Sequence, residues 1–139
     1  MSDRFIFYYE GYKYQLRKDF TIQLMFAPDR FIYTAFIRLD TTGYLSIREG
    51  YAWDGPSGPT VDTPDFMRGS LVHDALYQLM RDLYLDKGKY RKLADQELYR
   101  ICREDGMNWV RAKYVYTAVR IAGDSSATER PALLVAPRP

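Results

Sequence analysis

Residues 63–83 decide the fold: Thr63-Pro64-Asp65-Phe66-Met67-Arg68-Gly69-Ser70-Leu71-Val72-His73-Asp74-Ala75-Leu76-Tyr77-Gln78-Leu79-Met80-Arg81-Asp82-Leu83. Phe66, Val72, Ala75, Leu76, Leu79, Met80 and Leu83 recur at helical spacing. Thr63 is placed to cap the start, Pro64 suits the first helical position, and Asp65 suits the first turn. Downstream, Asp86-Lys87-Gly88 reads as a break, and a second helix is predicted from about Tyr90 to Asp105, with Leu93, Glu97, Leu98 and Ile101 in register and Gly106 as its stop. A third is predicted over roughly Asn108 to Ile121, ending at Gly123. Residues 124–139, with Ser125, Ser126, Pro131, Pro137 and Pro139, read as an extended tail without a core of its own.

Upstream the character changes. Gly55, Pro56, Gly58, Pro59 and Pro64 punctuate the stretch from Gly50 to Pro64, which excludes regular structure there. Before it, Phe5–Tyr9 and Tyr12–Tyr14 flank Glu10-Gly11 as a hairpin. Further strands are predicted at Thr21–Phe26, Phe31–Leu39 and Tyr44–Arg48, the last following the turn Asp40-Thr41-Thr42-Gly43. The expected class is α+β: an antiparallel β meander, then three helices, then a tail. One domain is expected over residues 1–123, β-rich over 1–50, a Gly/Pro loop over 50–63 and helical over 64–122.

Composition narrows the function. Twenty basic residues against 18 acidic ones leave a net charge of +2, too balanced for the basic patch that nucleic acid requires. The single cysteine, Cys102, excludes an intrachain disulfide and fits a reducing compartment of synthesis; among Leu98 and Ile101 it reads as a small buried hydrophobe. Arg4 is followed by alternating aromatics rather than an apolar run, so no signal peptide is expected, and nothing approaches a membrane span. The 13 tyrosines suit cross-strand packing in a small sheet. The expected place is the cytoplasm of the cell that makes it.

His73 is the only histidine. Its ordinary titration near neutrality makes it the candidate base, and the competing reading is a hydrogen-bonded histidine of the core. Asp74 follows it, turned about 100° around the helix, so the two do not touch but can face one cavity wall. Tyr77 lies one turn on and Arg81 one turn further. Two helices joined by a short loop pack antiparallel, which can place Asp95 opposite His73 as acceptor of its ring N–H. A carboxylate behind an imidazole fixes the tautomer, as in a general-base dyad. A salt bridge from Asp95 to Arg91 or Arg81 is the plainer alternative. The irregular Trp53-Asp54-Gly55-Pro56-Ser57 run offers backbone oxygens, with Asp54 as a further carboxylate; calcium takes ~6–8 such ligands, and Asp74 would complete them. One histidine and two carboxylates form a poor set for zinc.

Two resemblances follow. From Tyr14 to Gly123 the chain resembles a largely phage-encoded family of small proteins with no established activity. The residues that carry this are Asp54-Gly55-Pro56-Ser57, Leu71-Val72-His73-Asp74-Ala75-Leu76-Tyr77, Ala94-Asp95 and Ala118-Val119-Arg120-Ile121-Ala122-Gly123. It implies phage or prophage origin; a non-enzymatic virion, tail or assembly component, with other phage proteins as partners and the His-Asp network as architecture, is the alternative to an enzyme. From Tyr51 to Asp105 the chain resembles the phospholipase A2 domain of parvovirus capsid proteins, on Tyr51 with Gly55-Pro56, His73-Asp74 with Tyr77, and Lys89-Tyr90 with Ala94-Asp95. That likeness implies His73 as base, Asp95 as its orienting partner, Asp74 as calcium ligand, Tyr77 as a structural donor, and a phospholipid membrane as substrate. Trp53 and Phe66 are then expected at the cleft mouth, against lipid. Asp54 departs from the pattern, because it stands where that domain's calcium loop uses backbone oxygen. The β-rich half has no counterpart there.

Overall fold

The computed structural model describes residues 2–9, 13–55, 63–129 and 136–137. Among the described residues, seven short strands precede three helices, which makes the fold α+β. Strands β1 (Tyr8–Tyr9), β2 (Tyr14–Leu16) and β7 (Ala52–Trp53) form one antiparallel sheet, in the order β1-β2-β7. Strands β3 (Phe20–Gln23), β4 (Ile32–Tyr33), β5 (Ile37–Leu39) and β6 (Tyr44–Ile47) form a second, in the order β3-β6-β5-β4. β4, β5 and β6 run as a meander, and β3 adds to the far edge of β6.

In the second sheet burial alternates. Phe20, Ile22, Ile37, Leu39, Leu45 and Ile47 point inward and their neighbours outward, the period of two that a half-covered sheet requires. Helices α1 (Pro64–Arg81) and α2 (Lys87–Glu104) complete that core with Leu71, Val72, Ala75, Leu76, Leu79, Ala94 and Ile101. Helix α3 (Trp109–Ala122) packs on a smaller cluster, where Ala112 and Val115 meet Phe66, Leu98, Cys102 and Met107. α1 and α2 are antiparallel, since Arg68 meets Asp105 while His73 meets Asp95. No helix among the described residues is long and apolar enough to cross a membrane.

Several expectations are corrected. Phe31–Leu39 is two strands, because Thr34 turns the chain: its Oγ1 accepts from the Ile37 amide at 3.0 Å and its own amide donates to the Ile37 carbonyl at 2.8 Å. The Gly50–Pro64 stretch is not wholly irregular, since β7 lies inside it and pairs Trp53 with Tyr14. Asp86 is a cap rather than a break. Its carboxylate accepts from the Lys89 amide at 2.8 Å, so α2 starts three residues earlier than predicted. Thr63 holds the cap position of α1, but its hydroxyl turns to Asp65 instead of a backbone amide. The segment after Gly123 is not wholly extended: Ser125–Ala127 is a 3-10 turn, and Ala127 is buried in the main core.

Candidate functional site

Asp95 is the centre of the site. It lies midway along α2, fully buried, and both oxygens are engaged. Oδ1 accepts from His73 Nε2 at 2.7 Å and from the Tyr77 hydroxyl at 2.6 Å, both on α1. Oδ2 accepts from Arg120 Nη1 of α3 at 2.8 Å, with Arg91 Nη1 of α2 at 3.7 Å. One carboxylate thus ties all three helices together. The His73 and Tyr77 rings pack with centroids 4.1 Å apart, one turn apart on α1.

Burial opposes a charge on Asp95, but the hydrogen bonds from His73, Tyr77 and Arg120 prevail and hold its carboxyl below the ordinary value of 3.8. An ionised carboxylate only accepts, so His73 must donate from Nε2, which leaves the Nδ1 lone pair unprotonated in the neutral ring. Nδ1 has no partner among the described residues, and 14% of the His73 side chain is exposed. That is the geometry of an oriented base. Burial, then the bond to Asp95, pushes the Tyr77 phenol far above its ordinary range, so it stays a donor.

Arg91 reaches the end of α3. It donates to the Val119 carbonyl at 3.1 Å, which also accepts from the Gly123 amide at 2.8 Å, and to the Arg120 carbonyl at 3.3 Å in the last turn. Gly123 lies against this junction. A Cβ there would run into the Val119 carbonyl and fall 2.7 Å from the Tyr77 hydroxyl and 3.1 Å from Arg91 Nη1. Gly123→Ala is therefore expected to lower stability by about 1–3 kcal/mol, read by urea denaturation. A change within about 0.5 kcal/mol, the range of ordinary surface substitutions, would show that the close approach constrains nothing.

Asp74 points elsewhere. It is half-buried and has no hydrogen-bond partner among the described residues. Burial pushes its carboxyl above the ordinary range; Arg81, His73 and Lys13 pull it back, and Asp54 adds to the rise. Asp54 is exposed and pairs with Lys13 at 3.1 Å. Gly55 follows at φ +81°, where a Cβ would run into the edge of the Tyr14 ring. Ser57, expected as a loop ligand, and the rest of 56–62 lie outside the described residues. Among the described residues, no cluster of three or more His, Cys, Asp and Glu side chains forms.

Two placements differ from expectation. Trp53 and Phe66 do not stand at a cleft mouth: they are 1% and 4% exposed. The Trp53 indole donates to Ser70 Oγ at 3.1 Å in the core, and its backbone belongs to β7. Arg81 does not pair with Asp95 but donates to the Ser126 carbonyl at 2.9 Å. Arg120 is the site residue that sequence reasoning missed. Its signals were its place in the Ala118-Val119-Arg120 motif and a cation in the last turn of a helix that carries no acid of its own. Cys102 is fully buried, and burial pushes its thiol up to about 12, which suits packing and not nucleophilic attack. No family model, curated protein or solved structure matches the chain, so its own geometry carries the functional reading.

Proposed function

We propose that the chain is a calcium-dependent, phospholipase A2-like hydrolase of phospholipid esters. The observation that supports this best is the His73 ring, held at Nε2 by a fully buried carboxylate with Nδ1 left without a partner among the described residues. His73 Nδ1 takes a proton from water as the water oxygen attacks the ester carbon. The proton then passes to the departing alcohol oxygen. General-base help of this kind contributes typically ~10²–10⁴-fold. Because Arg120 already takes up charge on the far oxygen of Asp95, the main service of Asp95 is to hold the ring's orientation and tautomer.

A hard cation is supported by Asp74, whose carboxylate has no hydrogen-bond partner among the described residues; Asp54, which pairs with Lys13, and the backbone of Gly55 lie on the segment leading into 56–62, while the Trp53 backbone is tied to Tyr14 in β7. A site built largely of carbonyls needs no cluster of acids. Calcium bound there would polarise the ester carbonyl and favour the oxyanion.

A second reading has its own support. Asp95 also accepts from Arg120 and lies close to Arg91, so the network is a hub that fixes how three helices dock. In that reading the chain is a non-enzymatic phage virion, tail or assembly component. Calorimetric calcium titration of wild type and Asp74→Asn separates the two. The hydrolase reading expects micromolar to millimolar affinity, lost in the variant, together with calcium-dependent fatty-acid release. A folded protein that neither binds calcium nor releases fatty acid supports the structural reading.

A further inference from the structure

Helix α3 is apolar on two faces and buries only one. Ala112 and Val115 point into the core, with Val119 half-buried beside them. At about 100° per residue, Val110, Tyr114 and Ile121 fall within about 40° of one another on the opposite side, and Trp109 lies about 100° round from Val110 with Lys113 between them. Val110, Tyr114, Ile121 and Trp109 are 60%, 53%, 80% and 63% exposed. A helix with a second apolar stripe exposed has surface that a partner can cover.

The charges indicate what covers it. From Asn108 to Gly123 there is no Asp or Glu, while Arg111, Lys113 and Arg120 are all basic. Arg111 pairs with Asp65 and Arg120 with Asp95, and Lys113 stands exposed beside the stripe. A second copy is a poor occupant. Four large apolar side chains fall short of the ~20–30 residues a side of a stable interface. Trp and Tyr beside cations, on a helix too short to span, suit an anionic bilayer surface.

We propose that the outer face of α3 docks on an anionic phospholipid surface, with Trp109, Val110, Tyr114 and Ile121 entering the headgroup boundary and Lys113 meeting lipid phosphates. The choice of lipid as occupant rests on the phospholipid reading above. Because Arg120 of the same helix holds Asp95, docking would bring the surface to the helix that braces the dyad.

The test uses the full chain and vesicles of ether-linked phosphatidylglycerol and phosphatidylcholine, with EDTA present. Neither hydrolysis nor calcium can then contribute. The chain has two tryptophans, and Trp53 is 1% exposed, so a change in emission reports Trp109. Expected is co-sedimentation with a blue shift on anionic vesicles, weakened by salt and by pure phosphatidylcholine. Tyr114→Glu and Ile121→Glu, both at exposed positions, are expected to weaken binding about tenfold or more with unchanged circular dichroism. Three outcomes overturn the proposal: no binding by the folded wild type, binding equal in both variants, or a dimer in sedimentation that Tyr114→Glu dissociates. Binding to these vesicles by a chain that hydrolyses no ester lipid would sink the hydrolase reading alone.

Discussion

Asp95→Ala is expected to lower the unfolding free energy by about 3–5 kcal/mol, the usual cost of removing one partner from a buried ionic network. The alanine leaves the Arg120 guanidinium, the Tyr77 hydroxyl and His73 Nε2 without their acceptor at the junction of three helices. Against a typical total of ~5–15 kcal/mol, this is the largest single-residue effect expected. It carries a pH signature. The carboxyl of Asp95 lies below its ordinary 3.8 in the folded chain, so its ionised form contributes stability above that value. The contribution is lost as pH falls below 3.8 through the depressed folded value. Urea denaturation from pH 7 down to 3 should show this loss in wild type and a flatter dependence in Asp95→Asn. Equal stability of wild type and Asp95→Ala would mean that the helices dock without the hub.

His73→Gln is expected to leave the fold in place and to remove hydrolysis. The Gln amide can still donate to Asp95 Oδ1, which His73 Nε2 reaches at 2.7 Å, so the stability change should stay near about 1 kcal/mol. Gln has no lone pair that takes a proton near neutrality, so the general-base contribution of ~10²–10⁴ disappears. Paired measurements of fatty-acid release and urea midpoint separate the effects. Activity lost only in proportion to unfolded protein would make His73 architectural.

The helical hairpin was legible because both of its signals are local. Periodicity from Phe66 to Met80 marked α1, and a short connection forced α2 to run back along it, which was enough to set Asp95 opposite His73. Arg120 was not legible, since its approach depends on how α3 packs, and no local pattern sets that angle. β7 was hidden by its Gly/Pro neighbours, although its two residues complete a sheet with β2. Asp86-Lys87-Gly88 shows how one signal has two meanings: Asp before a polar turn can end one helix or cap the next, and the bond from the Lys89 amide decides. Trp53 was expected to meet lipid on the strength of the phospholipase likeness, whereas the hydrophobic effect and a hydroxyl partner at Ser70 hold it in the core. The exposed face of α3 was overlooked because its inner and outer apolar residues merge in a one-dimensional pattern. Only the packing shows which side is covered.

The most direct measurement is fatty-acid release from mixed ester-phospholipid vesicles by the full chain, in calcium and in EDTA, with His73→Gln alongside. The account predicts release by wild type in calcium alone and at least a hundredfold less by the variant at equal folded concentration, the lower bound of general-base catalysis at ~10². No release by folded wild type, or equal release by His73→Gln, would contradict it and leave Asp95, with His73, Tyr77 and Arg120, as the bolt that holds three helices together.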